Sequence, residues 1–250
     1  MLKRIVVGVI AAALAITVIA FRDTPAMPIV LAVLSCIATY EIEKCVQLKN
    51  KAIEVVSLVF SALVPLYYTY AGALAEAGLN LPTTAVVALY AILLFILMLA
   101  NYEHTKFEDV AAVLVASIFV PGAFSSLALL SAIGTRFPAA FAGYPGPFFI
   151  LFALFCALIT DTFAYFTGKF LGKHKLTKIS PKKTVEGAIG GVVGGILSSV
   201  ILFAVFDTYF FTVHTIGYLE IVILSAVLSL FGICVDLPAS VFPPTFCGTD

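Results

Sequence analysis

Eight long apolar segments, each about the length of a membrane-crossing helix, constrain this chain more than any other feature. A bilayer core is crossed by about 20 mostly apolar helical residues, within a range of about 17–25. The segments are approximately 4–21, 25–41, 53–75, 83–100, 109–133, 147–168, 185–206 and 216–234. Only 11% of the 250 residues are charged, against about 25% in a soluble domain, so polar groups cannot cover its surface. We therefore predict an all-α, polytopic integral membrane protein with about eight transmembrane helices.

Two of these segments have features of their own. The first follows Lys3 and Arg4, and no small-residue cleavage site is evident after it, so we interpret it as a retained span. A cleavable signal peptide remains the alternative. The fifth contains Pro121-Gly122, where we expect the helix to be broken. Neighbouring helices can satisfy the backbone groups that such a break frees.

Lysine and arginine in the connecting segments set the orientation, because they are enriched on the cytoplasmic side. With the N-terminus inside, the outer segments hold only Arg22 and Arg136. The inner segments hold twelve basic residues: Lys3, Arg4, Lys44, Lys49, Lys51, Lys106, Lys169, Lys173, Lys175, Lys178, Lys182 and Lys183. This bias predicts a multi-pass protein of the cell (inner) membrane whose N-terminus and lysine-rich loop are cytoplasmic.

The lysine-rich loop lies between the sixth and seventh segments and reads KFLGKHKLTKISPKKTVEG from Lys169, with six lysines. Ser180-Pro181 has the form of a helix start, a cap followed by proline, which would place Lys182 and Lys183 in the first turn. Cations are unfavourable at a helix N-terminus unless an anion binds there. Free backbone N–H groups and lysines together therefore predict a phosphate site. The alternative is that the lysines only set topology or contact anionic lipid headgroups.

Asp161 is an ionisable residue inside a predicted membrane helix, about two turns from its cytoplasmic end. Such a residue is expensive in lipid and indicates a functional site. Tyr165, Gly168 and Lys169 share its helix face, which leads to the lysine-rich loop. A carboxylate near phosphate-binding lysines favours a divalent metal, since Mg²⁺ takes one or two carboxylates, waters and substrate phosphates. A buried Asp–Lys pair is the structural alternative.

The seventh segment begins with a glycine-rich stretch, EGAIGGVVGGILSS, after the loop. Its glycines recur at four-residue spacing, as in Gly187/Gly191 and Gly191/Gly195. This spacing lets another helix approach closely. It predicts packing rather than chemistry.

Residues 161–191, DTFAYFTGKFLGKHKLTKISPKKTVEGAIGG, strongly resemble the core of the phosphatidate cytidylyltransferases, or CDP-diacylglycerol synthases. The family pattern has an aspartate, Ala-Tyr, repeated Gly-Lys, and then Ser-Pro-Lys-Lys-Thr-x-Glu-Gly. Its positions here are Asp161, Ala164, Tyr165, Gly168, Lys169, Gly172, Lys173, Ser180, Pro181, Lys182, Lys183, Thr184, Glu186 and Gly187. The resemblance implies the reaction of CTP with phosphatidate to give CDP-diacylglycerol and pyrophosphate.

The resemblance also implies roles for individual residues. The catalytic residues would be Asp161, Lys182 and Lys183, and Asp161 and Asp236 would be ligands of Mg²⁺ or a similar divalent cation. The substrates would be held by Tyr165, Lys169, Lys173, Ser180 and Thr184. The expected partners are CTP, phosphatidate and membrane lipid, with no nucleic acid. A homodimer is the oligomeric state we consider, although the sequence does not determine it.

The C-terminus departs from the family pattern, which continues with Gly-Asp-Leu and a His-Gly-Gly-x-x-Asp-Arg-x-Asp signature. Val235-Asp236-Leu237 resembles the first element, and nothing matches the second. We therefore expect N-terminal membrane helices in 1–134, a cytidylyltransferase-like core in 135–234, and an aberrant or truncated tail in 235–250. Two alternatives to an active enzyme follow: a catalytically inactive truncated member of the family, or a small-anion transporter that uses the same lysines.

Overall fold

The computed structural model of this chain describes residues 24–78, 82–103, 105–141, 144, 146–177, 180, 183–211 and 216–239. Seven long helices follow one another in these ranges: α1 (Ala26–Val46), α2 (Lys51–Glu76), α3 (Thr83–Ala100), α4 (Phe107–Ser131), α5 (Gly146–Leu171), α6 (Val185–Tyr209) and α7 (Tyr218–Ala239). Two four-residue helices, Ile133–Arg136 and Pro138–Phe141, lie between α4 and α5. The only extended pairing in the described ranges is an isolated bridge between Lys175 and Thr184.

Six of the described helices, α2 to α7, are long and apolar enough to cross a membrane. The all-α, polytopic membrane fold is therefore confirmed, and six of the predicted spans have a matching helix. The first predicted span, 4–21, lies outside the described residues. The second, 25–41, lies within α1, which is not among the six. The predicted number of eight spans is thus not confirmed.

The helix α4 is continuous through Pro121, so the predicted break at Pro121-Gly122 is wrong. A proline removes one backbone donor from the helix, but it does not by itself interrupt a membrane helix whose other backbone groups are satisfied. Ser125 Oγ donates to the Pro121 carbonyl at 2.6 Å, an i to i−4 contact within the continuous helix.

The chain divides into two compact units, with the boundary between Leu129 and Leu130. In the first unit, α1 and α2 pack through small and polar side chains. Thr39 Oγ1 and Ser61 Oγ are hydrogen-bonded at 3.1 Å. Small side chains at a helix contact let the backbones approach closely. A separate apolar cluster buries Ile53, Tyr90, Leu94, Val110 and Val113.

The second unit contains α5, α6 and α7. At one end, aromatic side chains from the start of α5 and the end of α6 form a buried cluster with Tyr144 and Phe211. The Phe148 and Phe211 ring centroids are 5.0 Å apart in an edge-to-face arrangement, a favourable geometry for aromatic pairs. Tyr144 Oη accepts a hydrogen bond from the Ile216 amide at 2.7 Å. This cluster fixes the end of the helix pair opposite to the lysine-rich loop.

Along the rest of their length, α5 and α6 pack through the glycines of α6. A Cβ added at Gly191 would lie 2.9 Å from both the Thr160 carbonyl and Ala164 Cβ. A Cβ at Gly187 would lie 2.8 Å from the Ala164 carbonyl oxygen. Real Cβ atoms do not fit so close to a backbone oxygen without displacing it. The predicted packing role of the glycine-rich segment is confirmed.

Candidate functional site

Two backbone hydrogen bonds close the base of the lysine loop, defined here as residues 172–184. The Val185 amide donates to the His174 carbonyl at 2.9 Å, and the Leu176 amide donates to the Lys183 carbonyl at 2.9 Å. Within the loop, the Lys183 amide donates to the Ser180 carbonyl at 3.1 Å. The two ends of the loop are therefore paired like neighbouring strands directly before α6.

The predicted start of α6 at Ser180-Pro181 is wrong, because the helix begins at Val185 with Thr184 as its N-cap. Thr184 has extended backbone angles, and its Oγ1 accepts from the Gly187 amide at 3.1 Å. The strand-like pairing keeps the backbone extended up to Thr184, so the helix begins four residues later than predicted. Lys183 precedes the cap rather than occupying the first turn. Pro181 and Lys182 lie outside the described residues.

Ser180 and Thr184 have structural contacts of their own. Ser180 is buried, and its amide donates to Thr177 Oγ1 at 3.1 Å. Thr184 packs into a notch made by two glycines at the end of α5. A Cβ added at Gly172 would lie 2.7 Å from Thr184 Cγ2, and one added at Gly168 would lie 2.9 Å from Thr184 Oγ1. Thr184 thus fixes the loop to α5 as well as to α6.

The predicted face of α5 carries Asp161, Tyr165 and Lys169, all of which are exposed on the helix. Lys169 Nζ lies 5.8 Å from the centre of the Tyr165 ring, within the range of a cation–π contact. The face leads towards the lysine loop, which follows directly after α5. Lys173 and Lys175 in that loop are exposed, and the ammonium nitrogen of Lys183 is buried.

A groove between α5 and α7 opens beside Asp161, with a volume of about 260 Å³. Its lining residues are Ala157, Thr160, Asp161, Leu228, Ser229, Gly232 and Val235. Thr160 Oγ1 and Ser229 Oγ are hydrogen-bonded across it at 2.8 Å. Gly195 of α6 meets the same pair, because an added Cβ would lie 2.4 Å from Thr160 Oγ1. The three long helices of the unit, α5, α6 and α7, therefore meet immediately beside Asp161.

Sequence reasoning missed Thr160 and Ser229 as neighbours of the predicted site. They are 69 residues apart in the chain, and single hydroxyls are common in membrane helices. The one usable signal was Gly195, whose lack of a side chain marks a point of close approach. Asp236 lies in α7, seven residues beyond Ser229 towards the C-terminal end of the helix.

Magnesium is the cofactor that the sequence implies, and the donor chemistry beside the groove fits it. Among the described residues no group of three or more His, Cys, Asp or Glu side chains is placed to hold a metal ion. Mg²⁺ needs no such cage, since it usually combines one or two carboxylates with waters and substrate phosphates. Asp161 is an exposed carboxylate on the face that leads to the lysines. Its role as a ligand stays a prediction, as does that of Asp236.

The fold and this arrangement define a polytopic α-helical membrane protein in which α5 carries a carboxylate beside a groove and leads directly into a lysine loop. The chain belongs to the cytidylyltransferase family, whose model matches residues 2–243. The resemblance found in residues 161–191 is thereby confirmed.

Curated relatives of this chain are phosphatidate cytidylyltransferases. The protein from Bacillus subtilis (strain 168) is 27% identical over 252 residues, which cover 96% of this chain and 83% of the relative. The protein from Staphylococcus saprophyticus is 36% identical over 102 residues, and that from Staphylococcus haemolyticus is 34% identical over 102 residues. In both staphylococcal relatives the match covers 40% of this chain and spans 37% of the length of the relative.

Proposed function

We propose that this protein is a CTP-dependent nucleotidyltransferase of phospholipid biosynthesis, which converts CTP and phosphatidate into CDP-diacylglycerol and pyrophosphate. The observation that supports it most is the position of Asp161 and the lysine loop on one helix pair, α5 and α6, in a membrane-spanning member of the cytidylyltransferase family. A carboxylate and a lysine cluster are what a reaction between two phosphate-bearing substrates requires.

In this reaction an oxygen of the lipid phosphate attacks the α-phosphorus of CTP. The bond between the α-phosphorus and the bridging oxygen to the β-phosphate breaks, and pyrophosphate leaves with that oxygen. Phosphoryl-type transfers require mainly positioning and charge neutralisation from the protein. The ammonium groups of Lys173, Lys182 and Lys183 would hold the phosphates of CTP. Tyr165 and Lys169, which lie on α5 between Asp161 and the lysine loop, would also contact the substrate.

The lysine side chains, rather than the helix N-terminus, would supply most of the phosphate contacts. The Val185 amide already donates to His174, and the Gly187 amide already donates to Thr184. Two of the first three backbone donors of α6 are thus used within the protein. Asp161 and Asp236 would hold Mg²⁺, which supplies charge neutralisation on phosphate oxygens when bound.

The orientation and partners follow from the same proposal. The N-terminus and the lysine loop would face the cytoplasm, where CTP is present, and phosphatidate would enter from the cytoplasmic leaflet. A homodimer remains part of the proposal, without support from a described contact.

The test is an assay of the purified full chain in detergent–lipid micelles with CTP, phosphatidate and Mg²⁺. We expect release of pyrophosphate together with CDP-diacylglycerol in equal amounts. Asp161→Asn should abolish Mg²⁺-dependent CTP binding without preventing membrane insertion, because Asn removes the charge and keeps the size of an exposed side chain. If the parent chain releases no pyrophosphate at any Mg²⁺ concentration, the result would instead favour the catalytically inactive family member.

A matched control separates the role of Asp161 from a general loss of charge. Asp207 is an acidic residue of α6, near the opposite end of the helix pair. Asp207→Asn should leave CTP binding unchanged. If Asp161→Asn binds Mg²⁺ and CTP as the parent chain does, the carboxylate is structural and the metal assignment is wrong.

A further inference from the structure

Glu186, the second residue of α6, contacts His174 at the opposite end of the lysine loop. Its two carboxylate oxygens accept from the His174 amide at 3.3 and 3.2 Å. Its Oε1 also lies 2.6 Å from His174 Nδ1. The Val185 amide donates to the His174 carbonyl at 2.9 Å. The first two residues of α6 therefore bind His174 at its amide, its carbonyl and its ring.

Burial cannot hold this part of the loop in place. Gly172, Lys173, His174 and Lys175 are all exposed, and the His174 side chain is 78% exposed. With so little buried surface, the segment is held mainly by its hydrogen bonds at His174 and Leu176. The Glu186 side chain is only 25% exposed, and it lies between the loop and the helix. Its two oxygens are the acceptors that hold the amide and the ring of His174 against the start of α6.

Two of the lysines that we assign to the loop depend directly on this contact. Lys173 and Lys175 are the chain neighbours of His174, so the backbone at His174 sets where both side chains begin. The Leu176–Lys183 backbone pair continues the same ladder and places Lys183 opposite them. Fixing His174 thus fixes the backbone from which three lysine side chains extend, relative to the start of α6.

We propose that Glu186 is a positioning residue: its carboxylate clamps the backbone at His174 and thereby holds the loop lysines in the arrangement that binds a nucleoside triphosphate. This inference rests on the proposed function. Glu186 touches no substrate in this role and acts through the lysines.

A simpler role for Glu186 would be electrostatic, since an acidic residue in the first turn of a helix stabilises the helix dipole. The two roles make opposite demands on the side chain. A clamp needs an acceptor oxygen at the full length of the glutamate side chain. Gln keeps both the oxygen and the length, whereas Asp is one methylene too short. A dipole contact needs the negative charge, which Asp retains and Gln does not.

The experiment compares Glu186→Gln, Glu186→Asp and His174→Ala in the full purified chain. Amide hydrogen exchange of the peptide covering 173–176 reports on the clamp, and kcat and KM for CTP report on its consequence. Glu186→Asp should speed exchange and raise the KM for CTP about tenfold or more, as expected for the loss of one charged hydrogen bond. Glu186→Gln should change the exchange rate and the KM for CTP by less than about threefold each. His174→Ala keeps the amide contact and should fall between them.

Each other result overturns a stated part of the inference. If Asp behaves like the parent chain and Gln raises the KM, Glu186 acts through its charge alone. If exchange is unchanged in all three variants, Glu186 does not hold the loop. If exchange follows the expected order but CTP affinity is the same throughout, the positioning role is wrong while the proposed function stands. If the parent chain binds no CTP, the proposed function fails and the positioning role fails with it.

Discussion

Glu43 of α1 is a carboxyl group in an environment that disfavours its charge. The residue is 2% exposed, and its Oε2 is buried without a hydrogen-bond partner in the described part of the chain. Its Oε1 is hydrogen-bonded to Ser57 Oγ. Ser57 Oγ also lies 2.8 Å from the Glu54 carbonyl, which can only accept, and a hydroxyl has one hydrogen to donate. The hydrogen between Ser57 and Glu43 is therefore best supplied by a neutral Glu43.

The pKa of Glu43 agrees with this assignment. The pKa is raised to about 7, chiefly by burial. The nearby Glu54 carboxylate acts in the same direction, whereas Lys51 opposes the shift. Glu43 lies in α1, outside the six membrane-spanning helices. Because the folded pKa lies above the ordinary value of 4.5, the folded protein binds more protons than the unfolded chain between these two values.

We expect the stability of the protein to fall as the pH rises from about 4.5 to about 7 and then to level off. The loss is at most about 3.5 kcal/mol, since each pKa unit corresponds to about 1.4 kcal/mol. Glu43→Gln mimics the neutral acid and should remove this slope. The measurement is the midpoint of thermal unfolding in detergent at a series of pH values.

The matched control is Glu41→Gln, which neutralises an exposed carboxylate on the same helix. It should keep the pH dependence of the parent chain. A Glu43→Gln protein with the slope of the parent would mean that another group titrates over this interval.

Among the helices, α5 and α6 make the tightest pairing in the second unit, and it depends on backbone space. A Cβ added at Gly191 would clash with the Thr160 carbonyl oxygen. This backbone atom cannot rotate away as the end of a side chain can. Gly191→Ala should therefore destabilise the protein by about 1–3 kcal/mol through overpacking. Thermal unfolding in detergent measures the change.

Gly72 of α2 provides the control for the same substitution. A Cβ at Gly72 would meet nothing within 4 Å. Gly72→Ala should be neutral or stabilising by up to about 1 kcal/mol, because alanine favours the helix over glycine. Equal effects of the two substitutions would show that helix propensity, and not the α5–α6 contact, decides the outcome.

Sequence patterns predicted the elements that local chemistry determines. Apolar length identified six spans, glycine spacing predicted that another helix packs closely against α6, and the helical period placed Asp161, Tyr165 and Lys169 on one face. Each of these depends on residues within a few turns of one helix. They are properties that a periodic sequence carries directly.

The contacts that shape the lysine loop are not local, and sequence patterns did not predict them. Two cap-like sequences, at Ser180 and at Thr184, lie four residues apart, and either is able to start a helix. Pairing of 174–176 with 183–185 selects Thr184. The contact of Glu186 with His174 spans twelve residues, and that of Thr160 with Ser229 spans 69. No periodicity encodes such pairs.

For the molecule as a whole, lipid takes the place that water has for a soluble protein. Large apolar side chains on the membrane helices are exposed, among them Leu89 at 66%, Phe119 at 72% and Ile201 at 65%. In water such surfaces would drive aggregation, whereas in a bilayer they face hydrocarbon. The lysines of the second unit are instead concentrated at one end, in the lysine loop and at the end of α5.

The length of α6 makes the orientation testable with two labels. The helix has 25 residues, which corresponds to about 37 Å at 1.5 Å per residue, and the hydrocarbon core is about 30 Å thick. Its two ends must therefore lie on opposite sides of the membrane. Lys175 precedes its start and Phe210 follows its end, and both are exposed. Either position accepts a cysteine without disturbing the core.

In intact cells, a membrane-impermeant maleimide should label Phe210→Cys and leave Lys175→Cys unlabelled, in a background with the five native cysteines replaced. Permeabilised cells should label both, which controls for the reactivity of each thiol. The expectation rests on the excess of basic residues in the inner segments, since positive charge resists translocation. The reverse pattern would place the lysine loop outside the cell, away from cytoplasmic CTP, and would overturn the orientation and the proposed function together. Labelling of both positions in intact cells would mean that α6 does not span the membrane.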